Sequence, residues 1–339
     1  AMFLIISEIY LFLFRTHVKL GNRHKLSVGT EYIVDVLKSQ TDNIAKEDAY
    51  TLALFAQDEI KLLRNLQALI GVRYIYHENF KNHATPNVAL MYKPGKFNFR
   101  ASYAAGFRTP TLSELYATDI AKKNDRLTIG NLDLKPEKNN YFSLSAEYVH
   151  ERFSVSVNAF YNNIRDMIDY NTIATGDKAM EQYGHKEVRQ RDNIAEAKVH
   201  GINVSANAYL GAGFNLSGGY THLNTQDVEL EQPIDKSIKN AYNINAQWAH
   251  SWKIYRLNIN LNGRINSKRF SKSYGYAPEY QLWDLNTRHS FNLKSVIIEP
   301  GFGMENLFDY MDDRPYNSNY ATLTPGRSFY ISLSLKFKS

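Results

Sequence analysis

The sequence predicts an all-β fold: a transmembrane antiparallel β-barrel with short turns at one end and long loops at the other. Three observations carry this expectation. Many segments alternate strictly between apolar and polar residues, the period of a strand with one greasy and one wet face. Where the pattern is clear the segments run to about ten residues, the length that crosses a bilayer, whereas ordinary strands are nearer ~5–6. The links between them alternate between tight and long, as in membrane barrels and not in sandwiches.

In chain order the predicted strands are 24–35, 49–61, 66–76, 86–93, 96–106, 141–149, 152–164, 192–210, 213–224, 240–250, 254–266, 279–291, 295–308 and 327–337. The apolar run "MFLIISEIYLFLF" (2–14) reads as a further strand before residue 20. It carries Glu8 and lacks the basic start and small-residue cleavage site of a signal peptide. Tight links fall at "KLLRN", "KPGK", "HER", "GAG", "HSWKIY" and "NLKS". Long stretches fall around 36–48, 77–85, 107–140, 165–191, 225–239, 267–278 and 309–326.

The two faces are legible within single strands. In "FNFRASYAAGFRTP" (97–110), Phe97, Phe99, Ala101 and Tyr103 form the apolar face, and Asn98, Arg100 and Ser102 the wet one. In "YFSLSAEY" (141–148) the apolar set is Phe142, Leu144, Ala146 and Tyr148. In "RLNINLNGRI" (256–265) it is Leu257, Ile259, Leu261 and Ile265, set against three asparagines and Arg264. In lipid the backbone finds no outside hydrogen-bond partner, so strands must pair with one another, and polar inner faces imply a wet or plugged lumen.

Composition fits this and excludes other classes. The 339 residues are 44% hydrophobic, with a tyrosine-led aromatic share of 13% that suits surfaces with one wet and one greasy side. No stretch of about 18 apolar residues forms a transmembrane helix. There is no cysteine, which removes disulfides and thiolate metal sites. The net charge of +6 is dispersed and gives no nucleic-acid footprint. No G-x-S-x-G, phosphate loop or clustered metal ligands point to an enzyme, a metal or a cofactor.

From about His24 onward the chain resembles the barrel of TonB-dependent outer-membrane receptors. The run "FNFRASYAAGFRTPTLSELY", followed by "GNLDLKPEKNNYFSLSAEY", is similar to the paired FRAP-like and NPDLKPE-like segments that bracket one external loop in that family. The matching positions are Phe107, Arg108, Pro110, Asn131, Leu134, Pro136 and Glu137, with Thr109 and Leu132 as departures. "FAQDEIKL", "LIGVRYIYH", "ENLFD" and the closing "PGRSFYISLSLKF" resemble the family's strands as well.

The resemblance implies a barrel of about 22 strands behind a plug. Residues 1–339 would then be its C-terminal portion, without the plug and the early strands. It implies a Gram-negative outer-membrane location with the long loops outside. Capture of a siderophore-type iron chelate, haem or corrinoid by the loops would precede TonB-driven plug displacement. The implied partners are the TonB-ExbB-ExbD complex, outer-membrane lipid and lipopolysaccharide. A passive porin-like channel is the alternative.

Ligand contacts are expected on the loops. Arg108 offers a planar fork to an anionic ligand, or else pairs with a neighbour such as Glu114 and holds its loop. His77, His83 and His185 are candidate iron or haem contacts. Tyr116, Tyr170, Tyr183, Tyr276 and Tyr316, with Tyr274 and Tyr320, are candidates for an aromatic floor, and Arg189 for steering an anionic chelate. Residues 111–130 contain no histidine, which weakens the haem expectation.

Overall fold

The computed structural model describes residues 5–39, 44–121, 125–271, 275–312 and 324–338. The first six strands are β1 (Ile5–Leu20), β2 (His24–Ser39), β3 (Ile44–Leu63), β4 (Leu66–His77), β5 (Lys81–Tyr92) and β6 (Phe97–Arg108). Helix α1 (Leu112–Tyr116) and short strands β7 (Asp119–Ala121) and β8 (Arg126–Ile129) follow. Then come β9 (Glu137–Val149), β10 (Phe153–Thr175), helix α2 (Gly176–Tyr183), β11 (Glu187–Gly211) and β12 (Phe214–Asp227). The chain closes with β13 (Asn240–Trp252), β14 (Tyr255–Asn266), β15 (Arg269–Ser271), β16 (Gly275–Ala277), β17 (Tyr280–Asn292), β18 (Val296–Glu305) and β19 (Ser328–Phe337).

The 17-stranded sheet is an antiparallel meander of fifteen long strands, to which β7 and β8 are appended. Each long strand pairs with the next, from β1 with β2 through β6 with β9 and β14 with β17 to β18 with β19. β15 and β16 form a separate ribbon. The predicted strands all appear, and residues 5–20 supply the further one.

Registers carry the face alternation across the whole wall. Phe99, Ala146 and Val157 lie opposite one another on one face; Arg100, Ser145 and Asn158 lie on the other. The same split continues to Leu261 opposite Leu285 and Asn260 opposite Asn286. The apolar face is the exposed one: Phe99, Leu144, Ile202, Leu216 and Leu333 are all open. It is edged by two rows of aromatic side chains. Near the turns, Phe97, Tyr148 and Phe153 follow one another at 4.8 and 5.6 Å between ring centres, and Trp252, Tyr255 and Phe291 at 5.4 and 5.1 Å. Near the loops, Tyr32, Tyr50 and Tyr76 are spaced 6.0 Å apart, and Tyr103 meets Phe142 at 4.9 Å. On β10 the two rows are Phe153 and Tyr161, which at ~3.3 Å per residue and a tilt near 40° is about 20 Å along the membrane normal. A lipid band of about 25 Å flanked by aromatic girdles has this form.

The turn end is tight throughout. At 211–213, Gly211, Ala212 and Gly213 all have positive φ, and a Cβ on Gly213 would collide with the backbone of Ala249. The loop end differs in part from the sequence expectation. Most of 36–48, 77–85 and 165–191 is strand: β4 and β5 are joined by only 78–80, and β10 and β11 reach 23 and 25 residues. These hairpins rise past the lipid, where both faces meet water or other loops, so the apolar alternation that marks a membrane strand stops before the strand does.

The buried cores sit at the loop end, not in the wall. Leu37 and Ala49 enclose Leu112 of α1; Leu115, Leu134 and Ile168 form a second cluster; Ala174, Ala179 and Val188 form a third around α2. A wall facing lipid needs no interior core, whereas loops in water do.

Candidate functional site

The loop end is built around the segment between β6 and β9. Thr111 caps α1 in a reciprocal capping box: its hydroxyl accepts the Glu114 N–H at 3.2 Å, and the Glu114 carboxylate accepts the Thr111 N–H at 2.9 Å. Arg108, the last residue of β6, lies directly opposite Glu137, the first residue of β9. Its guanidinium donates twice to Glu137, at 2.8 and 2.6 Å, and once to Glu114, at 2.9 Å. Glu137 also accepts the Ile168 N–H of β10 at 2.8 Å. One arginine thus ties both ends of the loop and its helix to the wall.

Burial alone would push the Glu114 carboxyl up, but the Arg108 hydrogen bond, the Thr111 donors and the Arg108 charge together hold it below the usual carboxylate value. The Glu137 hydrogen bond, aided by Glu114, correspondingly raises Arg108.

The rest of the motif has structural work in the same loop. The Asn131 amide donates to the Arg191 carbonyl at 3.0 Å, and its oxygen accepts the Asp133 N–H at 2.9 Å. Leu134 is buried against Leu115 and Ile168. Pro110 is buried and Pro136 half-buried. Phe107 stacks on His83 with 3.8 Å between ring centres. Strand β8 adds to β11 in parallel, Arg126 opposite Glu187, so two loops share one ladder.

The candidate ligand contacts divide into groups. His77 is 3% exposed, accepts the Asn79 N–H at 3.1 Å and lies 5.0 Å from the Phe80 ring; burial lowers its pKa. His83 is 2.9 Å from the Phe80 carbonyl through Nε2. Tyr116 wedges between the first two clusters. These three share one neighbourhood with Arg108.

A second neighbourhood gathers the others. Tyr183 packs on the third cluster. His185 bridges to Asp125 at 2.9 Å, and this contact holds the Asp125 carboxyl below its ordinary value. Arg189 pairs with Glu187 at 2.5 Å. Tyr170 is open, with the Arg191 guanidinium 3.9 Å above its ring. Tyr276 stands apart, 59% exposed and 5.3 Å from Phe270. Tyr316, Tyr274 and Tyr320 lie outside the described residues. Among the described residues no three His, Asp or Glu side chains gather as a metal site.

Sequence reasoning placed Glu114 beside Arg108, as the structure does, but did not find Glu137 as the second carboxylate, the Asp125–His185 bridge or the Arg191–Tyr170 stack. For Glu114 the local signal is "TLSE" (111–114), a capping-box pattern that fixes it beside the end of β6. The other three join residues far apart in sequence or in separate strands.

The family model described as "TonB dependent receptor-like, beta-barrel" matches residues 8–307. The chain belongs to this family. Among solved structures, it is similar to the ferric enterobactin receptor PfeA of Pseudomonas aeruginosa, with a TM-score of 0.80 and 19% identity, over 98% of this chain and 54% of that one. The siderophore receptor PirA of the same organism gives 0.76 and 18%, over 99% and 57%. The FrpB iron transporter of Neisseria meningitidis gives 0.69 and 14%, over 97% and 55%. The chain therefore spans little more than half the length of these structures. In this TonB-dependent receptor barrel the loop-tying Arg108 and its two carboxylates come from the two motif segments that carried the resemblance.

Proposed function

We propose that this chain forms the barrel wall and folded outer loops of a Gram-negative outer-membrane receptor that imports a scarce iron chelate. The long-loop end faces outward. The loops capture the ligand, and passage through the lumen is energised by TonB with ExbB and ExbD, acting on a plug outside this chain. Haem and corrinoids are the other cargoes of the same class. The chain's own part is to bind and to guide; it makes and breaks no bond.

The observation that carries this reading is a lipid-facing wall crowned by loops with their own cores. The membership in the TonB-dependent receptor barrel family supports the energised importer over a passive channel. The fold likeness to structures described as a ferric enterobactin receptor and a siderophore receptor supports the iron chelate. The open Tyr170 ring under Arg191 gives the loop surface an aromatic and cationic element suited to a flat anionic chelate. The test is equilibrium titration of the full-length receptor with ferric enterobactin, haemin and cyanocobalamin. Tight binding of the ferric chelate is expected, and tight binding of none overturns the reading.

A further inference from the structure

The outer face of the wall changes character just above the loop-end aromatic row. At that row Tyr103, Phe142, Tyr161 and His200 lie opposite one another across β6, β9, β10 and β11. Two residues nearer the loops on the same face stand Asn140, Asn163 and Lys198, and two nearer again Lys138, Arg165 and Glu196. At ~3.3 Å per residue and a tilt near 40°, these levels are about 5 and 10 Å above the row. The polar layer over a hydrocarbon core adds about 5–8 Å on each side, so these long side chains stand at the depth of lipid headgroups.

The charges there are unbalanced. Lys138 and Arg165 are exposed and directly opposite each other, a like-charge pair that is unfavourable by itself. Neither has a carboxylate partner among the described residues. Glu196, opposite Arg165 on its other side, takes Lys198 instead, at 3.7 Å. Beside them the Asn163 Oδ1 is buried without a hydrogen-bond partner. Elsewhere the same rim is balanced: on β3, two and four residues beyond Tyr50, Asp48 and Lys46 pair with each other at 3.0 Å.

The patch owes nothing to what lies outside this chain. A plug would fill the lumen, on the other side of the wall, and further strands would add beyond β1 and β19, whereas the patch faces outward and is flanked by β6 and β12. A phosphate between Lys138 and Arg165 turns their repulsion into charge-assisted hydrogen bonds. A sugar hydroxyl on the same headgroup supplies the donor that the Asn163 oxygen lacks. We propose that this face of β9 to β11 binds a phosphate on the headgroup of lipopolysaccharide in the outer leaflet. Arg165 and Lys138 are the paired contacts, Lys198 is the third cation, and Asn163 accepts from a headgroup sugar. Of the uptake reading, only the outward placement of the loop end enters this assignment.

The experiment titrates delipidated full-length receptor in detergent with bisphosphorylated lipid A, read by native mass spectrometry. The comparison probes are lipid A without its phosphates and inorganic pyrophosphate. Saturable binding of the bisphosphorylated form is expected. Arg165→Gln should raise its dissociation constant about tenfold, and Arg165→Gln with Lys138→Gln further, while Arg165→Lys stays within about threefold and Lys46→Gln has no effect. No binding of bisphosphorylated lipid A overturns the proposal, as does equal binding of the form without phosphates. A double variant within twofold of the parent, or a Lys46→Gln loss as large as that of Arg165→Gln, overturns it too. So does an Arg165→Lys loss as full as that of Arg165→Gln, since a structural defect and not the missing charge would then be at work. Pyrophosphate bound as tightly as the lipid would make this a site for free anions and overturn the lipid assignment. Ferric enterobactin is titrated into the same preparation: its failure to bind, with lipid A binding intact, refutes the uptake reading and not this site.

Discussion

Removing Arg108 should melt the loop between β6 and β9 while leaving the wall intact. Its guanidinium donates three charge-assisted hydrogen bonds of 2.6 to 2.9 Å. Each is worth ~1.5–3 kcal/mol when shielded. The Arg108 side chain is 42% exposed, so solvent screening cuts that sum by roughly half. Arg108→Ala also leaves Glu114 and Glu137, 14% and 18% exposed, without their shared cation. The expected loss is about 2–4 kcal/mol, confined to the loop unit. At 1.4 kcal/mol per tenfold, amide-exchange protection at Leu115, Ala117 and Asn131 should fall about 30- to 700-fold. These amides bond to Thr111, Ser113 and Glu114 carbonyls within that unit. Protection in β13 and β14 should hold. Arg108→Lys should recover only part, because an ammonium cannot make the fork. Because folded Glu114 lies below its ordinary value of 4.5, its stabilisation is present above that pH and is lost as pH falls through the lowered value. Loop protection in the unsubstituted protein should therefore weaken on acidification, and that of Arg108→Ala should not. Loop protection within threefold of the parent, or an equal fall in β13, refutes the reasoning.

Gly130 lies against the backbone of α1: an added Cβ would stand 2.5 Å from the Leu115 carbonyl oxygen and 2.9 Å from the Tyr116 nitrogen. Gly130→Ala should cost about 1–3 kcal/mol and speed proteolysis within 109–136, with no change elsewhere. Leu144 is 66% exposed on the lipid face. Leu144→Arg should cost about 2–4 kcal/mol in the folding equilibrium of the full-length protein in phosphatidylcholine vesicles. Ser205→Arg, on the lumen face, should cost under about 1 kcal/mol, and equal costs for the two would contradict the assignment of faces.

The wall was readable because a bilayer imposes a strict rule. Each crossing strand must be apolar on alternate residues for about ten positions, so Phe142, Leu144, Ala146 and Tyr148 declare their face without help from any contact. The hairpin tops escaped because that rule lapses above the lipid: "IRDMIDYNTIAT" (164–175) belongs to β10 although its polar and apolar residues no longer alternate cleanly. The loop architecture was partly hidden for a different reason. The Asp125–His185 bridge, the β8–β11 ladder and the Lys135–Asn193 pairing, at 2.7 and 2.9 Å, join segments about sixty residues apart. No local period encodes such a meeting. What the sequence did encode was the pair of segments whose meeting matters most, since Arg108 and Glu137 are the end and the beginning of consecutive wall strands.

The placement of the cores also constrains how the loops work. The wall turns its large apolar side chains outward, so its burial comes from lipid and its rigidity from an unbroken hydrogen-bond ladder. The segment between β6 and β9 has no lipid cover and only short pieces of ladder, and a water-exposed segment of its length without internal contacts would stay mobile. Instead Leu112, Leu115 and Leu134 are nearly fully buried, and Tyr116 joins two clusters. Arg108 welds this unit to β6 and β9, and β8 welds it to β11. A surface held at these three strands presents Tyr170 and Arg191 in a fixed arrangement, which on the proposed uptake function leaves little ordering to be done. The residues that look most like ligand donors in the sequence, His77, His83 and Tyr116, serve this platform from within. The exposed ones beside them, on β10 and β11, are those that the proposed uptake function would use.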